Sequence, residues 1–215
     1  MNTEIQDNPT SQEFHFLAEK AVQLGAKSVQ VIPASQIVIE NRVTLKCRSG
    51  CVTYGKKLTC PPYVPTPDQF RDIVREYRAA LLVKFSSDAN VDPDVIRSIY
   101  KYWLDPGAPA EKKQMAQTFW DEYFQGSKMI HPIMLELEKT AFNAGYTFAL
   151  ALSTGSCRLC EKCNTKEGIC LHPQIARIPE HAVGINMKKT AELAGMPITF
   201  PCVEHPEPMA LLLID

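Results

Sequence analysis

Apolar residues recur along this chain in two rhythms, one helical and one extended, and together they outline its elements. From Ser11 to Leu24, residues Phe14, Leu17, Ala18, Ala21 and Leu24 fall at helical spacing, and Gly25 stops the pattern. Ser28 to Glu40 holds two β-branched runs parted by Pro33-Ala34-Ser35, which predicts two strands or one bent strand. Pro67 to Tyr77 predicts a helix with proline at its start, and Ala79 to Phe85 a buried strand. Asp92 opens a further predicted helix. Ala110 to Ala144 is mostly helical, with two apolar faces: Met115, Phe119, Trp120, Tyr123 and Phe124, then Ile130, Ile133, Met134, Leu137 and Ala141. Gly126 and Ser127 interrupt them. Tyr146 to Leu152 predicts a buried strand, Met187 to Leu193 a helix, and Met209 to Ile214 a terminal strand.

Strands and helices alternate in this reading, which predicts one α/β domain over residues 1–215, with residues 1–10 a loose N-terminal segment. The expected architecture is a mixed sheet flanked by helices, with two cysteine-rich loops that each follow a strand. Spacing alone carries no strand order.

Composition narrows the class. Hydrophobic residues at 45% and charged residues at 22% are ordinary for a globular protein, and a net charge of −1 speaks against nucleic acid or an anionic membrane as partner. The start, MNTEIQDNPTSQEFHF, lacks the basic and apolar regions of a secretory leader, and the longest apolar stretches are too short to cross a bilayer. A cytoplasmic, reducing location is expected, in which thiols stay free for metal.

The eight cysteines then carry the chemistry. Cys47, Cys51 and Cys60 form one group, in CRSGCVTYGKKLTCPPYVP. Cys157, Cys160, Cys163 and Cys170 form another, in GSCRLCEKCNTKEGICLHP, and Cys202 stands apart. A disulfide framework would spread its cysteines to close long loops, whereas a metal site concentrates them. C-x2-C-x2-C turns three sulfurs toward one centre, as the ligands of a cubic iron–sulfur cluster require, and Cys170 follows as a fourth ligand of this cluster or of another. Structural zinc is the alternative, but it usually draws its four thiolates as two separate pairs.

The first group supplies three thiolates only. Cys202 or His205 would complete a four-ligand site suited to electron transfer, whereas an open position would suit substrate binding. Arg48, Lys56 and Lys57 flank the first group, and Arg158, Lys162 and Lys166 the second, where they either stabilise thiolates or are simply solvated. Pro61 and Pro62 are expected to hold the chain extended after Cys60, with Tyr63 packed on the loop. His172, beside Cys170, reads as an ordinary loop residue before a ligand, and His131 as an ordinary surface or core histidine. Glu136 and Glu138, two apart on a helix, do not share a face and make a poor acid/base pair. No nucleotide-binding or hydrolase motif is present.

The blocks CRSGCVTYGKKLTCPPYVPTPDQF and GSCRLCEKC…GICLHP, with the weaker tail RIPEHAVGINMKKTAELAG, closely resemble the domain-of-unknown-function 2284 family of predicted metal-binding proteins. The resemblance runs from about residue 25 to the end. It implies Cys47, Cys51, Cys60, Cys157, Cys160, Cys163 and Cys170 as ligands, and a setting in anaerobic metabolism. Two departures stand out: Arg177-Ile178-Pro179 replaces an Arg-Pro-Ser stretch, and Cys202 lies outside the family pattern.

The function expected from these features is that of an oxygen-sensitive iron–sulfur protein with one or two [4Fe-4S] clusters, transferring electrons to a partner redox protein. Two alternatives remain open: an enzyme that uses the three-cysteine site with an open iron, or a zinc-stapled module that recruits a protein.

Overall fold

The computed structural model describes residues 12–89, 92, 105–200 and 205–215. Helix α1, His15–Gln23, leads into strand β1, Ser28–Pro33. A 3-10 turn at Ala34–Gln36 and another at Asn41–Thr44 precede the short helix α2, Leu45–Gly50. Helix α3, Pro67–Val74, and strand β2, Ala79–Lys84, follow. Then come α4, Ala110–Ser127, α5, Ile130–Asn143, and strand β3, Leu150–Leu152. A 3-10 turn at Glu180–Val183, helix α6, Met187–Leu193, and strand β4, Met209–Ile214, complete the described elements.

The strands form one open sheet in the order β1-β2-β4-β3. The α/β class and the helix-flanked sheet agree with the sequence, and the three strand pairings are all antiparallel. The central strands, AALLVK and MALLLI, are buried at every position. Helices cover both faces, so apolar side chains are needed on both sides whatever the strand direction.

Alternate residues feed two cores. Val29, Val31, Leu81, Val83, Ala210, Leu212 and Ile214 meet α1 and α5 through Phe14, Leu17, Met134, Leu137 and Ala141. Ile32, Leu82, Leu211, Leu213 and Leu152 meet α3 and α6 through Phe70, Val74 and Ala191, with Ile37, Val183 and Ile185 beside them. Each fully buried leucine contributes about 2 kcal/mol of transfer free energy. A smaller cluster of Ala89, Ala116 and Phe119 takes up the first apolar face of the long helical region.

Two features position the loops. Glu40 accepts from Arg42 Nε at 2.6 Å, Lys189 Nζ at 2.6 Å and Asn186 Nδ2 at 2.8 Å, and its own backbone N–H donates to the Gly184 carbonyl. These bonds, Arg42 first, bring its carboxyl down to about 2. Ile39 and Ile185 form an isolated antiparallel bridge next to this hub, so residues 38–44 lie against residues 184–190. In α3, Thr66 and Gln69 form a reciprocal capping box immediately after the first cysteine loop, with Pro67 at the first helical position.

Several expectations change: the second β-branched run of residues 28–40 forms only an isolated bridge at Ile39, and Gly126 and Ser127 lie inside α4. Only the second cysteine loop follows a strand directly, because two 3-10 turns separate β1 from α2 and place Cys47 on that helix. The predicted strand from Tyr146 shortens to Leu150–Leu152, since Tyr146 and Ala149 form a turn after α5. The chain after Cys60 turns rather than extends: Tyr63 N–H bonds the Cys60 carbonyl, Gly55 N–H bonds that of Pro61, and the Pro61-Pro62 bond is cis. Beyond Asp92 itself, the helix expected there lies outside the described residues, as do the loose segment 1–10 and Cys202.

Candidate metal centre

All seven described cysteines are free thiols. Cys157, Cys160, Cys163 and Cys170 line one cavity, together with Leu159, Leu171 and His172. Asn164 lines it too, and the rest of the wall comes from the first loop, as Lys57, Leu58 and Thr59. The Leu58 backbone N–H donates to Cys163 Sγ at 3.4 Å, and Lys57 Nζ donates to the Cys160 carbonyl at 3.1 Å. The two loops, about a hundred residues apart in sequence, therefore meet at a single site.

Cys47 and Cys60 are buried, while Cys51 is exposed. The Thr53 hydroxyl sits between two thiols of this group, 3.1 Å from Cys51 Sγ and 4.0 Å from Cys60 Sγ. Burial pushes the Cys47 and Cys60 thiols up, with the neighbouring Cys51 adding to both, while the Thr53 hydroxyl eases ionisation of Cys60. Burial also raises Cys157, opposed by the Leu159 N–H and the Lys57 ammonium. Cys157 acts in turn on Cys60, so the two groups sense each other's charge. Thiols held protonated in this way lose their protons when a metal replaces them, which makes binding proton-linked.

Thr59 is 8% exposed, and among the described residues its hydroxyl has no well-formed hydrogen bond. It stands close enough to Cys60 to favour the thiolate without reaching good geometry. An unsatisfied buried hydroxyl beside a thiol-lined cavity is what a site shaped for a bound group would leave.

Other candidates separate. His172 joins the cavity wall. His205 turns Nδ1 to the Ala89 carbonyl at 3.1 Å, and His131 turns Nε2 to the Ile175 carbonyl at 2.6 Å. Of the flanking cations, Lys57 reaches the second loop, whereas Arg158 lies over the Phe124 ring at 3.5 Å and ties that loop to α4. Tyr63 is nearly half exposed, with its hydroxyl 3.5 Å from the Gly55 carbonyl. Glu138 is structural: it holds Arg177 and accepts from the Ala151 N–H at 2.7 Å.

Sequence reading missed Thr53, Thr59 and the Leu58 N–H. A hydroxyl two residues after Cys51 and another just before Cys60 were the available signals, whereas no residue type announces a backbone donor. Among the described residues, no three His, Cys, Asp or Glu side chains gather tightly enough to cage a single metal ion. Nor is any helix among them long and apolar enough to cross a membrane.

A helix-covered antiparallel sheet that presents two abutting cysteine loops defines an α/β protein with a thiol-rich candidate metal centre. Residues 30–214 match the model of the domain-of-unknown-function 2284 family, described as a predicted metal-binding protein, and the chain belongs to that family. Neither a curated protein nor a solved structure matches the chain.

Proposed function

We propose that this chain is an iron–sulfur protein that passes electrons to a partner redox protein in the cytoplasm, in anaerobic metabolism. Cys157, Cys160, Cys163 and Cys170 would hold one [4Fe-4S] cluster, and Cys47, Cys51 and Cys60 a second, all within one domain. The observation that carries the reading is the single cavity walled by the four cysteines of the second loop, with a backbone N–H aimed at Cys163 Sγ. The donor set fits: soft thiolates select thiophilic metals, and N–H donors and a nearby ammonium offset the negative charge of a thiolate-bound cluster.

Spacing favours a cluster over zinc. The four cavity cysteines come from one C-x2-C-x2-C-x6-C run, whereas structural zinc usually draws its thiolates as two separate pairs. Bound there, a cluster would supply one-electron redox chemistry, while the protein positions it and sets its potential.

A second reading follows from the first group, which has three thiols with Cys51 exposed. An iron left open there would bind a small molecule, and the chain would be an enzyme. Metal and acid-labile sulfide content of anaerobically purified protein, with EPR before and after dithionite, tests both. About eight irons with sulfide and a reduced-cluster signal support the proposal. A spectrum perturbed by a small molecule supports the enzyme reading. Zinc without sulfide overturns both and leaves a zinc-stapled interaction module.

A further inference from the structure

We infer that Lys57, Leu58 and Thr59, although they belong to the first loop, are part of the second metal site and supply the hydrogen-bond donors that hold its bound group. The inference rests on the proposed function only in requiring a thiolate-bound metal at Cys157, Cys160, Cys163 and Cys170.

Three contacts lead to it. The Leu58 N–H donates to Cys163 Sγ at 3.4 Å, so a thiolate there keeps a donor when it binds metal. Lys57 Nζ fastens the strap to the Cys160 carbonyl, which places a positive charge beside the thiols. Thr59 is a residue of the same wall, and its buried hydroxyl lacks a well-formed partner among the described residues. Buried polar groups are normally satisfied, and a hydroxyl held only loosely beside Cys60, on a residue of the cavity wall, is a donor that a bound group would satisfy. A sulfide or a metal-bound thiolate would accept this hydrogen bond. Cys60, the next residue, belongs to the first group, so the strap is joined covalently to a ligand of the neighbouring site.

The test uses the full chain with metal counted first. Thr59→Val keeps the shape and removes the hydroxyl, and Lys57→Met keeps the stem and removes the charge. Affinity is read by competition with a chelator at fixed pH, using iron and sulfide or zinc alone, whichever the purified protein holds. Outer donors of this kind are worth about 10–100-fold in metal affinity. Both variants should therefore lose about tenfold or more, and an iron–sulfur centre should also become harder to reduce. Lys56→Met, a change outside the cavity lining, should leave affinity unchanged. Equal metal-free unfolding midpoints for wild type and variants confirm that the site, not the fold, has changed.

Normal affinity in both Thr59→Val and Lys57→Met would overturn the inference and leave the proposed function standing. Zinc in place of a cluster, with affinity still lost, would overturn the iron–sulfur reading and uphold the strap. A wild-type chain that binds no thiolate-ligated metal would overturn both.

Discussion

Arg177 grips Glu138 through two hydrogen bonds, Nη2 on one carboxylate oxygen and Nε on the other at 2.8 Å. The pair fastens the exit of the second cysteine loop to α5. Glu138 also accepts the Ala151 N–H of β3, so one carboxylate anchors both the strand that enters the loop and the segment that leaves it. The two side chains are 13% and 17% exposed, which removes most solvent screening.

Arg177→Ala should therefore destabilise the protein by about 3 kcal/mol, because it strands a largely buried carboxylate. Urea unfolding of the metal-loaded protein reads the loss. Arg75→Ala, in an exposed pair with Asp72, should stay within about 0.5 kcal/mol. Equal costs for the two would show that the Arg177 contact carries no special weight.

Gly184 sits at φ +89°, and a Cβ there would come 2.7 Å from Pro67 Cβ. Gly184→Ala should cost about 3 kcal/mol, from backbone strain and the clash together. Gly25 has φ +100° with nothing within 4 Å, so Gly25→Ala should cost only about 1–2 kcal/mol. Thermal unfolding compares them, and a Gly184 variant no worse than the Gly25 variant would refute the packing argument.

Glu180 is 6% exposed, and burial raises its carboxyl to about 8. Its Oε2 lacks a hydrogen-bond partner among the described residues. The native state thus holds a proton that the unfolded chain releases near 4.5. The stability from this protonated form is complete below about 4.5 and is lost as pH rises toward 8. Glu180→Gln should flatten that decline, gaining on wild type between pH 5 and pH 8 by on the order of a few kcal/mol. Parallel stability curves for the two proteins would place the group's folded pKa near its ordinary value.

Separate ligand sets predict separable losses. Cys157→Ser should abolish the second centre and spare the first, and Cys51→Ser should do the reverse. Iron per chain would fall from about eight to about four in each. If either change removes all metal, the seven cysteines serve one shared centre.

Much of the fold was legible because buried faces impose periodicity. Met187–Leu193 and Met209–Ile214 match their sequence expectations, and Leu81, Leu82, Leu212 and Leu213 announced a sheet covered on both sides. The cysteine grouping was equally plain, since ligands for a compact centre must crowd together in sequence or in space. Their meeting was not. The first loop leaves β1 beyond Pro33, at the end of the sheet where β4 finishes, and the second leaves β3 beyond Leu152, toward the opposite end.

The sequence by itself determined which residues could ligate metal, and which faces of each helix and strand had to be buried. Only tertiary structure decided that Leu58 would face Cys163 and that Glu40 would join Lys189. Such contacts bridge residues more than a hundred positions apart, and they depend on the path that packing on the sheet imposes on each loop. Side-chain rhythm records how each segment meets the core, but it holds no record of which distant backbone donor will close a site.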